Sequence, residues 1–422
     1  MQSAEQIHVD DDVREAVRQL AEAANAAASM LRRTSHEVRD YALVLIADRL
    51  QSEANAILAA NRRDVDAGIA SGLTEGTLDR LRLDEQRLVG MAEQIRSLAK
   101  LPPIERVAQR TVLPSGNVLE ERRIPVGVVG ANYEARANVT IDIATQLVKS
   151  GNGGVLRTGG AAMGTARALL DMTVAPSLRE AGIHPDAMQL VPVRDRSAAY
   201  ALVSLPRLVP LVILRGSGSS TAALARAAAE HGVRSLAHAH GGGTVYIHRD
   251  GDRDKALALI TNSLDRFGVC NRLNLLLIAR EVWDDYLPRV REALSSMGVE
   301  AALPPHEHPL GHEWATDDER EATVTVAPVS GVEEAIRISN DQTPGLAATI
   351  VTEDATTATL FLDAYTGTGA FWNLTTRLLD GYKLTGAPET GIAVNREPGP
   401  RGPVTYRDLH LRQYVVNEPD ED

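Results

Sequence analysis

The sequence predicts an α/β fold, with a doubly wound nucleotide-binding domain followed by a second α/β unit. Three observations carry that expectation. Short apolar runs such as PVGVVGA (125–131), GGVLRTG (153–159) and VPLVILR (209–215) recur between stretches of helical periodicity, and such alternation builds a parallel sheet covered on both faces. Two of these runs open into glycine-rich loops, RTGG at 157–160 and GSGSS at 216–220, where backbone N–H groups and a helix N-terminus can hold an anion. At 422 residues the chain exceeds a single core, so two or three domains are expected.

In chain order, residues 10–98 read as helical, because apolar residues recur at three- and four-residue spacing in VREAVRQLAEAANAA, HEVRDYALVLIADRLQSEANAIL and EQRLVGMAEQIRSLA. LPP at 101–103 ends the series, and RTVLPSGNVLEERRIP reads as two strands around the turn Pro114, Ser115, Gly116. The strand 125–131, the helix IDIATQLVKS ending at Gly151 and the strand 153–159 follow. Residues 164–182 are a helix closed by glycine; then come the strand MQLVPV, the helical stretch AAYALVSL, the strand VPLVILR and the helix TAALARAAAEHG. The second series runs strand TVYIH, helix RDKALALITNSLDRFG, Cys270, strand LNLLLIA, helix EVWDDYLPRVREALSSMG, strand TVTVAPV, helix GVEEAIRISN, strand AATIVT and helix TTATLFLDAY. From Arg396 the tail is rich in Pro and Gly and ends in a strand, LRQYVV, and an acidic, mobile EPDED. The expected domains are 1–104 with 126–243, carrying the helices and the nucleotide site; 244–372, carrying Cys270; and 105–125 with 396–422, a hairpin and tail.

Bulk properties exclude several function classes. No stretch offers the ~20 uninterrupted apolar residues of a membrane span, and the N-terminus MQSAEQIHVDDDVREAV is acidic where a secretory signal would be basic and then apolar, so a cytoplasmic location is expected. A formal net charge of -12 opposes phosphate backbones, which argues against nucleic acid as a partner. One cysteine makes neither an intrachain disulfide nor a cysteine-based zinc site.

That cysteine sits after a helix and a glycine and before an apolar strand. On position alone it reads either as a space-filling buried thiol or as a nucleophile at an edge where a thiolate can attack a carbonyl. Gly216, Ser217 and Gly218, with Ser219 and Ser220, could take a pyrophosphate or form a capped turn. Arg157, before Thr158, Gly159 and Gly160, could meet a phosphate or ribose. His238 and His240 in AHAHGGG have period-two spacing and would share one face of a strand; with no clear third ligand they read as structural, and no metal site is expected.

The segment YEARANVTIDIATQLVKSGNGGVLRTGG (133–160) resembles the gamma-glutamyl phosphate reductases, also called glutamate-5-semialdehyde dehydrogenases, of the aldehyde dehydrogenase superfamily. The resemblance continues through DVDAGIASGLTEGTLDRLRLDEQRLVGMAEQIR, VILRGSGSS, GVCNRLNLLLI, ISNDQTPGLAATIVTED, NLTTRLLDGYKLTGAPETGIAV and RGPVTYRDL. It implies an aldehyde dehydrogenase-like fold with a small oligomerisation hairpin, hence a homodimer or homotetramer, and a role in proline biosynthesis. It makes Cys270 the nucleophile that forms a thioester from an acyl phosphate and Asn138 an oxyanion donor. Arg157, Gly159, Gly216, Ser217, Gly218 and Glu321 would meet the cofactor, NADP(H) with NAD(H) as the alternative. Arg136 or Arg377 would bind an anionic, activated amino-acid substrate, and Glu389 and Arg401 match motif positions without a defined role. An upstream kinase or a carrier protein is the implied delivery partner.

The chain also departs from that family. RTGG stands where the family runs RGGK, and no lysine lies between Lys149 and Lys255. Asn274 stands in place of Glu, Thr244 in place of His, and Leu346 in place of a His before the Ile-Val-Thr strand. These changes point to an altered acyl substrate or a paralogue of reduced activity, with a CoA- or carrier-thioester reductase and a silent binding protein as alternatives. AHAHGGG contains no Glu or Asp, so a base for hydrolysing a thioacyl intermediate is missing from that segment, which favours reduction over oxidation to an acid.

Overall fold

The computed structural model describes residues 8–134, 136–216, 218–238, 240–267, 269–317, 320–394 and 399–418. Ser217, Arg396 and most of the acidic EPDED end therefore lie outside the described residues. The chain forms two compact units, one of Met1–Ala237, Ala387–Gly391 and Val404–Asp422, the other of His238–Gly386 and Ile392–Pro403.

The first unit begins with helices Asp11–Leu31, His36–Ser52, Ala54–Ala70, Glu75–Leu81 and Glu85–Lys100. The long periodic stretch from His36 is thus two helices, parted at Glu53. The last two start on Thr74 and Asp84, whose side chains accept the N–H groups of Thr77 and Arg87 and satisfy donors that a helix start leaves open. Lys149 is buried and structural: its ammonium donates to Asp40 at 2.6 Å and to the carbonyls of Ala99 and Leu101.

A five-stranded sheet runs in the order Met188–Leu190, Gly153–Thr158, Val128–Tyr133, Leu211–Arg215, Arg234–His238. The pairings among its first four strands are parallel. Helix Val139–Ser150 is buried along most of its length and closes on Gly151 in the left-handed region, φ 77°. The helix expected over 164–182 is interrupted: Met163–Leu169 and Ala175–Glu180 flank a π-helical turn, Leu170–Val174. Pro176 accounts for it, since it has no N–H for a regular helical bond. The strand expected from MQLVPV is shorter, Met188–Leu190.

The hairpin Val107–Val112 and Val118–Pro125 turns through Leu113–Asn117, with Gly116 at φ 87°. Strand His410–Asn417 adds antiparallel to its second arm in register from His410 opposite Pro125 to Asn417 opposite Val118. Val112, Leu411, Tyr414 and Val416 are exposed on this three-stranded sheet.

The second unit holds a six-stranded sheet in the order Glu300–Ala302, Thr323–Val329, Leu273–Ala279, Gly243–Ile247, Ala347–Val351, Gly369–Trp372, all paired in parallel. Both of its faces are packed, one by Val245, Ile260, Leu276 and Val290, the other by Tyr246, Leu277, Ile338 and Phe361, as near-continuous apolar strands require. Among the described residues no helix is long and apolar enough to cross a membrane.

Candidate active site

In the first unit the strand order reverses between Val128–Tyr133 and Leu211–Arg215, and the crevice beyond the carboxyl ends of such strands is where open α/β sheets bind ligands. A cavity of about 560 Å³ lies there, lined by Asn132, Arg157, Gly159, Gly216 and the arginines Arg194, Arg196 and Arg215. Arg157 is buried; it donates to Asn132 Oδ1 at 3.2 Å and to the carbonyls of Arg194 and Asp195 at 3.1 Å, while its Nε has no partner. Burial, with Arg196 nearby, lowers its pKa. Gly218 is the buried first residue of helix Gly218–Glu230, so the N-terminus of that helix meets the cavity through Ser219 and Ser220. A Cβ at Gly216 would crowd Glu134 at 3.2 Å. Sequence reasoning reached Arg157 and the glycine loops but missed Arg194 and Arg196; the signal was RDR (194–196), shortly after strand Met188–Leu190.

Also in this unit, Asn138 is exposed at the start of helix Val139–Ser150, and its amide donates to Asp142 Oδ2 at 2.8 Å. Burial of the carboxyl pushes Asp142 up to about 7, against the opposing pull of Arg215 and the Asn138 hydrogen bond, with Glu389 adding to the rise. Arg215 itself donates to the Thr390 carbonyl at 2.9 Å. Arg136 is half-buried, its N–H bonded to the Glu134 carbonyl at 2.7 Å.

In the second unit Cys270 is half-buried and lies before strand Leu273–Ala279, at the amino edge of the sheet. Gly241 and Gly242, just ahead of strand Gly243–Ile247, and Gly243, its first residue, pack on the segment that begins with Cys270. Gly242 donates its N–H to the Cys270 carbonyl at 2.7 Å and Gly243 to the Arg272 carbonyl at 2.6 Å. A Cβ on Gly241 would lie 2.6 Å from the Cys270 oxygen, and one on Gly243 would lie 2.6 Å from Thr376 Oγ1. Gly242, at φ 106°, is in addition a conformation that L side chains rarely adopt. The run of three glycines is therefore a requirement of close approach to the cysteine segment.

The residues after the cysteine are braced from the other side. Thr376 donates to the Asn271 carbonyl at 2.8 Å, Asn271 donates to the Leu379 carbonyl at 2.9 Å, and Arg377 pairs with Asp265 at 2.6 Å and hydrogen-bonds the Asn271 side chain. Arg377, expected to bind an anionic substrate, gives its Nε and one terminal nitrogen to these two partners, with 11% of its side chain exposed. Arg272 is almost wholly buried over the Phe267 ring, donates to the Glu321 carbonyl at 2.5 Å, and has Glu321 and Glu313 as counter-charges. Glu321 is half-buried before strand Thr323–Val329, with the same amino-edge placement. Arg401 donates to the carbonyls of Thr366 and Val394, so it supports loops. Thr244 and Leu346 are buried, and Leu346 belongs to the apolar cluster against which Cys270 packs.

Two readings need correction. His238 and His240 do not share a strand face, because Arg234–His238 ends at the first of them and the glycine turn follows; His240 Nδ1 lies 3.3 Å from Glu313. The lack of a carboxylate in AHAHGGG does not leave that segment without one, since Glu313 accepts the Gly241 N–H at 2.8 Å. No periodicity or motif in HEHPLGHEW marks Glu313, and the fold alone brings it to the glycine turn.

Residues 2–311 match the model of the aldehyde dehydrogenase family. The chain is 34% identical over 421 residues to the gamma-glutamyl phosphate reductase of Opitutus terrae, with 96% of this chain and 98% of that protein covered. It is 34% identical over 418 residues to that of Novosphingobium aromaticivorans, covering 97% and 96%. The solved gamma-glutamyl phosphate reductase of Thermotoga maritima superimposes with a TM-score of 0.89 at 27% identity, over 95% of this chain and 98% of that one.

Proposed function

This chain belongs to the aldehyde dehydrogenase family, in its gamma-glutamyl phosphate reductase branch, and from that premise we propose that it reduces gamma-glutamyl phosphate to glutamate-5-semialdehyde through a thioester on Cys270. The observation that carries the reading is the seating of Cys270: a half-buried thiol on a turn of three glycines, its backbone carbonyl held by Gly242. The thiolate attacks the acyl carbon, the carbon–oxygen bond to phosphate breaks, and phosphate leaves with the electron pair. A nicotinamide nucleotide, when bound, would supply the hydride that takes the thioester to the aldehyde level. Return of the carbon–sulfur electron pair to Cys270 then releases the aldehyde and restores the thiolate. Through this sequence Asn271, Thr376 and Arg377 keep the segment after the cysteine fixed, which holds the attacking atom in one geometry.

The cavity of the first unit fits an anionic nucleotide. It lies at the reversal of strand order, carries Arg157, Arg194, Arg196 and Arg215, and contains in Arg157 Nε a buried donor without a partner. We infer that NADP(H) is preferred over NAD(H), with Arg194 and Arg196 meeting the 2′-phosphate, because guanidinium groups suit phosphate bidentately. They stand in for the lysine that the RTGG loop lacks. We also infer that the three-stranded sheet mediates self-association, since its exposed Val112, Leu411, Tyr414 and Val416 are costly to leave in water.

The test is the reverse reaction: reduction of NADP+ and NAD+ by glutamate-5-semialdehyde, with and without phosphate, for the protein and its Cys270→Ala variant. Turnover that needs both phosphate and Cys270 supports the reading. Absence of turnover with either nucleotide in folded protein rejects it.

A further inference from the structure

Glu313 lies outside every motif that points to the reaction, yet it holds the turn on which Cys270 sits. Its Oε1 accepts the Gly241 N–H at 2.8 Å, its Oε2 lies 3.3 Å from His240 Nδ1, and 13% of its side chain is exposed. A Cβ placed on Gly241 would stand 3.0 Å from both Glu313 Oε1 and Cys270 Cβ, so carboxylate and cysteine flank one glycine. One residue later Gly242 binds the Cys270 carbonyl at 2.7 Å. The turn is therefore tied to Glu313 at Gly241 and to the cysteine at Gly242.

Glu313 is itself held by its neighbours. The Asn274 amide donates from Nδ2 to the His312 carbonyl at 2.7 Å, and its Oδ1 accepts the Trp314 N–H at 3.1 Å, so it brackets Glu313 on both sides. Trp314 is buried and donates from its indole to Thr325 Oγ1 at 2.9 Å, which anchors the bracket to strand Thr323–Val329. The bracket needs a donor and an acceptor on one short planar group. An amide has both, whereas an ionised carboxyl has acceptors alone; this gives a physical reason for Asn at 274.

We propose that Glu313 is a positioning residue for the thiol of Cys270, acting through the Gly241 amide, and that Asn274 is the clamp that sets it. The proposal rests on Cys270 being the nucleophile. It concerns the acceptor oxygen of Glu313, so a glutamine that keeps that oxygen preserves the function and an alanine does not.

The experiment compares Glu313→Ala, Glu313→Gln, Asn274→Ala and Asn274→Asp by kcat and KM, by NADPH binding, by thermal unfolding, and by the pH profile of iodoacetamide alkylation. Because the chain has one cysteine, alkylation reports on Cys270 alone and needs no substrate, so it decides this proposal even where the semialdehyde is not turned over. Glu313→Ala is expected to lower kcat about 10- to 100-fold and to change the alkylation profile, with NADPH binding and unfolding temperature close to the parent. Asn274→Ala and Asn274→Asp follow it in direction, and Glu313→Gln recovers most of the loss. A Glu313→Ala protein with the parent's kcat and alkylation profile overturns the proposal. So does Glu313→Gln failing as badly as alanine, which would assign the role to charge or proton transfer, and so does a loss of NADPH binding and stability in step with activity.

Discussion

Asn138 donates its amide to the Asp142 carboxyl across 2.8 Å, one turn further along the same helix. Asp142 lies against Arg215 and Glu389, and burial raises its pKa from 3.8 to about 7. Between those two values the folded protein holds a proton that the unfolded chain has released, so stability falls as pH rises through the window and is fully present below it. Asp142→Asn is expected to flatten the decline of stability from about pH 4 to 7. The gain near pH 8 should be on the order of 2 kcal/mol, less than the full linkage value because part of the residue meets solvent. Chemical denaturation across that pH range checks it, and equal slopes in the two proteins would count against the raised carboxyl.

Gly241→Ala tests the close approach to the cysteine. The added methyl would meet the Cys270 oxygen at 2.6 Å, a contact the backbone must move to relieve. Turnover should fall by about 100-fold or more, with circular dichroism and NADPH binding retained. Gly90→Ala, inside helix Glu85–Lys100 where a methyl meets nothing within 4 Å, should instead stabilise the chain by about 0.5–1 kcal/mol.

Arg194→Gln with Arg196→Gln separates the two nicotinamide nucleotides. Loss of charge-assisted hydrogen bonds to a 2′-phosphate should weaken NADPH binding by roughly 10- to 100-fold, while NADH binding changes little. Fluorescence titration at two salt concentrations reads this directly, and a parallel loss for both nucleotides would move the arginines to the shared pyrophosphate.

His410 opens the tail strand, and burial pushes its pKa from 6.5 down to about 4, with Arg39 adding to the fall. Its neutral form is the folded one, so the stability it contributes is complete above about 6.5 and is lost as pH falls toward 4. His410→Gln should remove that part of the acid sensitivity. Unfolding followed between pH 7 and 4 shows it as a shallower slope than the parent's.

Association through the three-stranded sheet should fail when its apolar surface is charged. Leu411→Asp with Tyr414→Ser is expected to shift the protein to monomer by sedimentation or light scattering, with its helices intact. A parent protein that is already monomeric would end the argument for that interface.

Much of the architecture is legible because periodicity repeats over whole elements: a strand such as LNLLLIA or a helix such as EQRLVGMAEQIRSLA announces itself several times over. The nucleotide crevice is legible for a related reason, since glycine loops follow apolar strands at the place where the chain reverses its direction across the sheet. Side-chain commitments are not legible in this way. Nothing local in the sequence shows that Arg377 meets Asp265 and Asn271, over a hundred residues earlier, through two of its nitrogens. Glu313 likewise carries no local signal, because its meaning comes from a glycine amide 72 residues away. The π-helical turn before Pro176 was foreshadowed by the proline alone, and helical spacing continues through it.

The strand His410–Asn417 pairs along its whole length with Val118–Pro125, almost three hundred residues upstream. During synthesis the second arm of the hairpin emerges early and keeps an open edge until residues 410–417 have been made. Closing so long a loop is slow compared with forming the neighbouring hairpin, and an open edge invites pairing with other nascent chains. The tail strand thus decides when the hairpin is sealed: until residues 410–417 pair, the second arm keeps an open edge.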